Sequence, residues 1–284
     1  TAVQHKEHRL LSYALGYKGQ ILLDNGEHDA ALPLLQAATF YANDSLAYES
    51  AYLWEWQLAR ASAQSGQIAE AIQEYYRAIR TLEPVRQSLI DGSPFTFYQK
   101  IQPLFTELSS LLIDAASQSV GDEQQSYLQQ VQVVLEQAKS AELQDYFQND
   151  CVIPDKTLEL NNIEPATAVL YPVILADKLS LLVNIGDKVH LYTTPVEKAE
   201  FDALVNEFRY VIQSDLGDDD YLELGEEIYH LLIKQAEPLL EKNQVTTLLF
   251  VPDGVLRTVP MAALYDGEQF LVEKYAIATT PGVS

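Results

Sequence analysis

Few side chains in this sequence are suited to covalent chemistry. Cys151 is the single thiol, and a cysteine acts as a nucleophile at neutral pH only with a base in hydrogen-bond reach. The nearest histidines in sequence are His190, read on a strand between Val189 and Leu191, and His230, read on a helix. Neither stands in a motif that would bring it to Cys151, so the default reading is a boundary cysteine behaving as a small hydrophobe. The five histidines show no paired spacing for zinc, and one cysteine cannot build a structural zinc site. Asp215, Asp218, Asp219, Asp220, Glu223, Glu226 and Glu227 offer oxygens to a cation but lack the alternating ligand spacing of a calcium loop. This run reads instead as a solvated loop whose charges favour the N-terminus of the next helix. Pro252-Asp-Gly254 lacks the glycines and the lysine of a phosphate cradle. Asp253 and Arg257 read as parts of a structural turn in preference to the lining of a substrate groove. No catalytic residue, metal site or cofactor is expected among these 284 residues.

Charge narrows the partners. With 18 basic against 41 acidic residues the net charge is −23, which repels duplex nucleic acid and anionic membranes and suits a protein or peptide partner. The apolar stretch from Ala168 to Gly186 is broken by Pro172 and by Asp177-Lys178, so it falls short of a transmembrane helix. A single cysteine suits a reducing compartment, and a cytoplasmic location is expected. The start at Thr1 and the end in mid-element read as a piece of a longer protein.

Self-similarity sets the architecture of the first half. Gly26-Glu-His-Asp-Ala-Ala-Leu32 aligns with Gly66-Gln-Ile-Ala-Glu-Ala-Ile72 at a shift of 40 residues, from 26 to 66. The same shift pairs Gly19 with Ala59, Ala31 with Ala71 and Ala38 with Ala78. Small residues at these points let antiparallel helices approach closely, and each glycine sits where a helix ends and reverses. The pattern resembles two tetratricopeptide repeats, lengthened beyond the usual period of about 34. Ending the first helix of each pair at Gly26 and Gly66 turns Tyr13, Gln20, Asp24, Trp56, Arg60 and Gln64 toward the concave groove where such repeats hold peptides. Aromatic and arginine groups are common interface anchors; the alternative for Trp56 is packing between adjacent repeats. A third helical pair is expected at Tyr98–Ala116 and Glu123–Phe147, the second helix as a cap on the solenoid.

Beyond Asn149 to Pro165, a stretch without period, the pattern changes to strands. These are expected at Ala168–Ala176, Leu179–Ile185 and Val189–Thr193, followed by helices at Glu197–Ser214 and Tyr221–Leu240. The apolar run Val245–Val251 reads as a further strand released into the Pro252-Asp-Gly254 turn, and Phe270–Ala278 as another. The words Val251-Pro-Asp-Gly254, Val259-Pro-Met-Ala-Ala-Leu264, Phe270-Leu-Val-Glu-Lys-Tyr275 and Thr280-Pro-Gly-Val-Ser284 resemble, in order and spacing, the CHAT domain. That family comprises caspase-like clan CD cysteine peptidases, usually preceded by tetratricopeptide repeats. Ala138-Lys-Ser-Ala-Glu-Leu-Gln-Asp-Tyr-Phe147 is similar to the helix ahead of that domain in bacterial, often cyanobacterial, members. The resemblance implies an α+α/β organisation: a tetratricopeptide-like helical solenoid over 1–150, a linker over 151–165, and the N-terminal part of a caspase-like α/β domain over 166–284. It also implies a catalytic His and Cys downstream of Ser284, so these residues alone are expected to be inactive. The alternative is a non-catalytic scaffold for protein interactions.

Overall fold

The computed structural model describes residues 2–89, 94–147, 164, 166–214 and 220–283. Two compact units divide the chain: Thr1–Ala115 with Ser140–Ile153, and Ala116–Lys139 with Pro154–Ser284.

The first unit is helical. Helices α1 (Ala2–Asp24) and α2 (His28–Asp44) form one antiparallel pair, and α3 (Tyr48–Gln64) and α4 (Ile68–Leu82) the next. The turns that join each pair are built alike. Gly26 and Gly66 adopt φ of 80° and 77°, the left-handed region that glycine enters without a Cβ penalty. Glu27 N–H then donates to Leu22 O and Gln67 N–H to Ser62 O, both at 2.8 Å, which satisfies the last carbonyls of each helix. The turn from α2 to α3 uses the same hydrogen bond, Ala47 N–H to Ala42 O, with Leu46 forced to φ 55°. Small residues bring these helices together: Ala31, Ala38, Ala42, Ala51 and Ala61 are fully buried around Leu35 and Trp54. A Cβ on Gly16 would lie 2.4 Å from the Trp54 ring. Trp54 Nε1–H donates to Ser12 Oγ, which donates to Ala38 O, so one buried relay ties α3, α1 and α2.

After a 3-10 turn at Glu83–Val85 come the short helices α5 (Arg86–Leu89) and α6 (Pro94–Lys100), then α7 (Gln102–Gln118) and α8 (Gly121–Phe147). The helix expected from Tyr98 is thus two helices, broken at Ile101 ahead of Pro103, whose fixed φ suits the start of α7. Only the end of α8 belongs to the first unit. There the buried Arg86 guanidinium pairs with Asp145 and donates to Ala141 O at 2.7 Å.

The second unit holds a five-stranded mixed sheet of order β3-β2-β1-β4-β5. Its strands are β1 (Thr167–Ile174), β2 (Lys178–Ile185), β3 (Lys188–Pro195), β4 (Thr247–Phe250) and β5 (Ala276–Thr279). The first three form an antiparallel meander, while β1, β4 and β5 run parallel, with Thr167 opposite Thr247 and Thr247 opposite Ala276. β1 and β2 are buried along both faces, which is why they read as nearly continuous apolar runs. Between β3 and β4 run α9 (Lys198–Gln213), α10 (Asp220–Leu232) and α11 (Glu237–Lys242). Phe201, Val205, Phe208, Ile228, Leu232 and Leu240 from these helices form the core with Leu170, Leu181, Leu248 and Phe250 of the sheet. The single helix expected over Tyr221–Leu240 is divided by a 3-10 turn at Lys234–Ala236, before Pro238.

The first half of α8 belongs to this sheet unit. Gln125 bonds both backbone groups of Val189, its amide donating to the carbonyl at 2.8 Å and its oxygen accepting the N–H at 3.1 Å. The side chain thereby behaves like one residue of an added strand along β3, which lies at an edge of the described sheet. Gln132 bonds Asn184, Lys139 Nζ donates to Pro252 O at 2.9 Å, and Glu136 accepts the Val283 N–H. The expected strand from Phe270 begins instead as helix α12 (Leu271–Lys274), because the Glu273 carboxylate accepts the Phe270 N–H at 2.7 Å and starts a turn.

Candidate functional site

Within the helical unit, α1, α3, α4 and α7 enclose an open cavity of about 610 Å³. Leu23 and Asp24 come from the last turn of α1, Arg60, Ala63 and Gln64 from the end of α3, and Tyr75 from α4. α7 supplies Glu107, Ser110, Leu111 and Asp114. Helical periodicity explains the shared wall, since residues three and four apart face the same way.

Glu107 organises this wall. Its Oε2 accepts the Trp56 indole N–H at 2.7 Å, the Arg60 Nε–H at 2.9 Å and the Tyr75 hydroxyl at 3.0 Å, and its Oε1 accepts Arg60 Nη2–H at 2.5 Å. The Arg60 guanidinium also lies 4.3 Å from the Trp56 ring centroid, a stacked arrangement favoured by the ring quadrupole. Burial, and then the neighbouring Glu107 charge, push the Tyr75 phenol far above its ordinary range. Tyr75 therefore stays neutral and acts as a donor.

Of the residues read from sequence as facing the groove, Asp24, Arg60 and Gln64 line the cavity. Trp56 is buried behind Arg60, so its indole holds Glu107 in place. Tyr13 packs edge-on against Trp54, with centroids 6.0 Å apart, and Gln20 is half-buried on α1; neither is among the lining residues. Glu107, Tyr75, Ser110, Leu111 and Asp114 escaped the repeat template. The available signal was Glu107 itself, a charge set amid Leu104, Phe105, Leu108 and Leu111 on an amphipathic helix.

The other candidates are placed as follows. Cys151 and Asp215 to Asp219 lie outside the described residues. His190 sits on β3, where burial and then the charges of Lys188 and Lys242 lower its pKa. His230 is half-exposed on α10, 3.6 Å from Glu226. Arg257 donates to Asp253 at 2.9 Å across the 3-10 turn Gly254–Thr258, the structural turn read from the sequence. Among the described residues no group of three potential ligands is placed to hold a metal ion, and no helix is long and apolar enough to cross a membrane.

Fold and site together define a helical unit with an open groove, followed in the chain by a mixed-sheet α/β unit. The family model of the CHAT domain matches residues 222–284, from α10 through β4 and β5. That matched stretch is not self-contained in the fold, since β4 pairs along its length with β1. No curated protein matches the chain.

Proposed function

We propose that this chain is the recognition region and the opening part of the protease domain of a CHAT-type cysteine peptidase. The observation that carries the reading is the family match across β4 and β5, joined through β1 to a single sheet that follows the helical region in the chain. The recurrence of the Gly26 and Gly66 turns supports assigning those repeats to the tetratricopeptide type. The groove at the ends of α1 and α3 docks a protein or peptide partner, and docking there controls the peptidase chemistry. Its walls offer the hydrogen-bonding and apolar contacts that binding a peptide requires.

A pool of random octapeptides passed over the immobilised protein tests the docking role. The protein should retain a subset of peptides, and Ala63→Trp, which fills the cavity, should retain none while keeping its helical circular dichroism. Equal retention by both proteins would remove the groove from the account. A peptide-based thiol probe tests the division of labour, because Cys151 should react no faster than free cysteine. Rapid, site-specific labelling would place the nucleophile in this chain.

A further inference from the structure

The groove has a chemical preference, and the geometry points to a basic side chain, Arg or Lys, of a bound peptide as its occupant. This rests on the reading of the groove as a docking site and adds what the groove selects. Three features of the cavity converge on a cation with an apolar stem.

The first is its charge. Asp24, Glu107 and Asp114 line it against a single cation, Arg60. That cation is committed to Glu107 through two hydrogen bonds and to the Trp56 face, so Arg60 and Glu107 largely cancel each other. Asp24, exposed at the end of α1 and close enough to act on the Arg60 charge, adds negative charge beyond that pair.

The second is the polarity of the helices. The cavity is lined by the last two residues of α1, Leu23 and Asp24, and the last two of α3, Ala63 and Gln64. Asp114 lies about one turn from the end of α7. Helix C-termini carry partial negative charge that favours cations. None of these three helices has a basic residue in its last turn to offset it.

The third is the distribution of apolar surface. Leu23, Ala63 and Leu111 supply hydrocarbon between the carboxylates. A long basic side chain matches this pattern, since it lays its methylenes along apolar surface and carries its charge to the tip.

Four octapeptides, identical except for Arg, Lys, Gln or Glu at one central position in an Ala/Ser background, test the inference. Binding is followed by tryptophan emission, because Trp56 bonds the groove wall through Glu107. The Arg and Lys peptides should bind at least about tenfold more tightly than the Gln peptide, the value of a charge-assisted hydrogen bond. Their affinity should fall as salt is raised. Asp24→Asn should lose most of that preference with its urea unfolding midpoint unchanged, since Asp24 is exposed. Equal binding of all four peptides would overturn the cation preference and leave the groove a docking site. Binding of none would overturn both readings. Spermidine binding more tightly than the Arg peptide would overturn the peptide as the source of the cation.

Discussion

Replacing Glu107 by Ala removes the acceptor shared by Trp56, Arg60 and Tyr75 without touching the turns or the sheet unit. The Trp56 and Tyr75 residues are only 7% and 4% exposed, so their donors would be left without a partner away from water. Each such loss costs about 1–3 kcal/mol. The Arg60 side chain is 32% exposed and rehydrates, so its lost pairing adds little. The sum is a destabilisation of about 2–6 kcal/mol. Glu107→Gln keeps one acceptor oxygen and should cost about half as much. Urea unfolding followed by tryptophan emission is the suitable assay, because both tryptophans, Trp54 and Trp56, lie in the helical unit and report on it directly. A loss below about 1 kcal/mol for the Ala variant would show that Glu107 is not the organiser of the wall, against the expectation for a buried shared acceptor.

Three further outcomes follow from the geometry. Gly16→Ala should destabilise by about 1–2 kcal/mol, the clash with Trp54 outweighing the gain in helix propensity, and a neutral result in urea would contradict the close packing. The turn residues should move in opposite directions. Gly66→Ala, with open space around it, should cost about 1 kcal/mol through its positive φ alone, whereas Leu46→Gly should gain roughly 0.5 kcal/mol. Thermal melts would show both. In the sheet unit, burial would raise the Glu237 and Asp266 carboxyls, but hydrogen bonds from Lys234 and Lys274 to Glu237, and from Lys274 with the Gln269 and Glu268 N–H groups to Asp266, hold both at about 2. Because these folded-state values are depressed, their stabilisation is present above the ordinary carboxylate range and is lost as pH falls toward about 2. Circular dichroism melts between pH 5 and pH 2 should show that slope, and Lys274→Met should flatten it.

Much of the fold could be read where local rules act alone. The 40-residue recurrence, from 26 to 66, needed only the two glycines and their small neighbours, and both turns share the closing bonds, Gly26 N–H to Leu23 O with Glu27 N–H to Leu22 O and Gly66 N–H to Ala63 O with Gln67 N–H to Ser62 O. The meander β1 to β3 followed from apolar runs punctuated at Asp177-Lys178 and Gly186-Asp187. Leu271–Lys274 misled because a short apolar stretch with Val and Tyr fits strand and helix equally, and the deciding contact was the Glu273 carboxylate on the Phe270 N–H. The first half of α8 is instructive in another way. Gln125, Gln132 and Lys139 recur every seven residues, and the sequence pattern gave them no partners, yet they reach Val189, Asn184 and Pro252. Polarity on a helix signals water only when no backbone or amide waits opposite. The groove was half-visible: Asp24, Arg60 and Gln64 fall out of the repeat spacing, whereas Glu107 is 47 residues from Arg60 and meets it only through the tertiary fold.

Amide hydrogen exchange, with and without an octapeptide retained from the random pool, tests the central claim most directly. Docking at the groove predicts slower exchange over residues 20–27, 60–67 and 104–114, with the strands of the sheet unit unchanged in their own exchange rates. Protection confined to the Pro252–Thr258 turn, with those three helical segments unaffected, would contradict it.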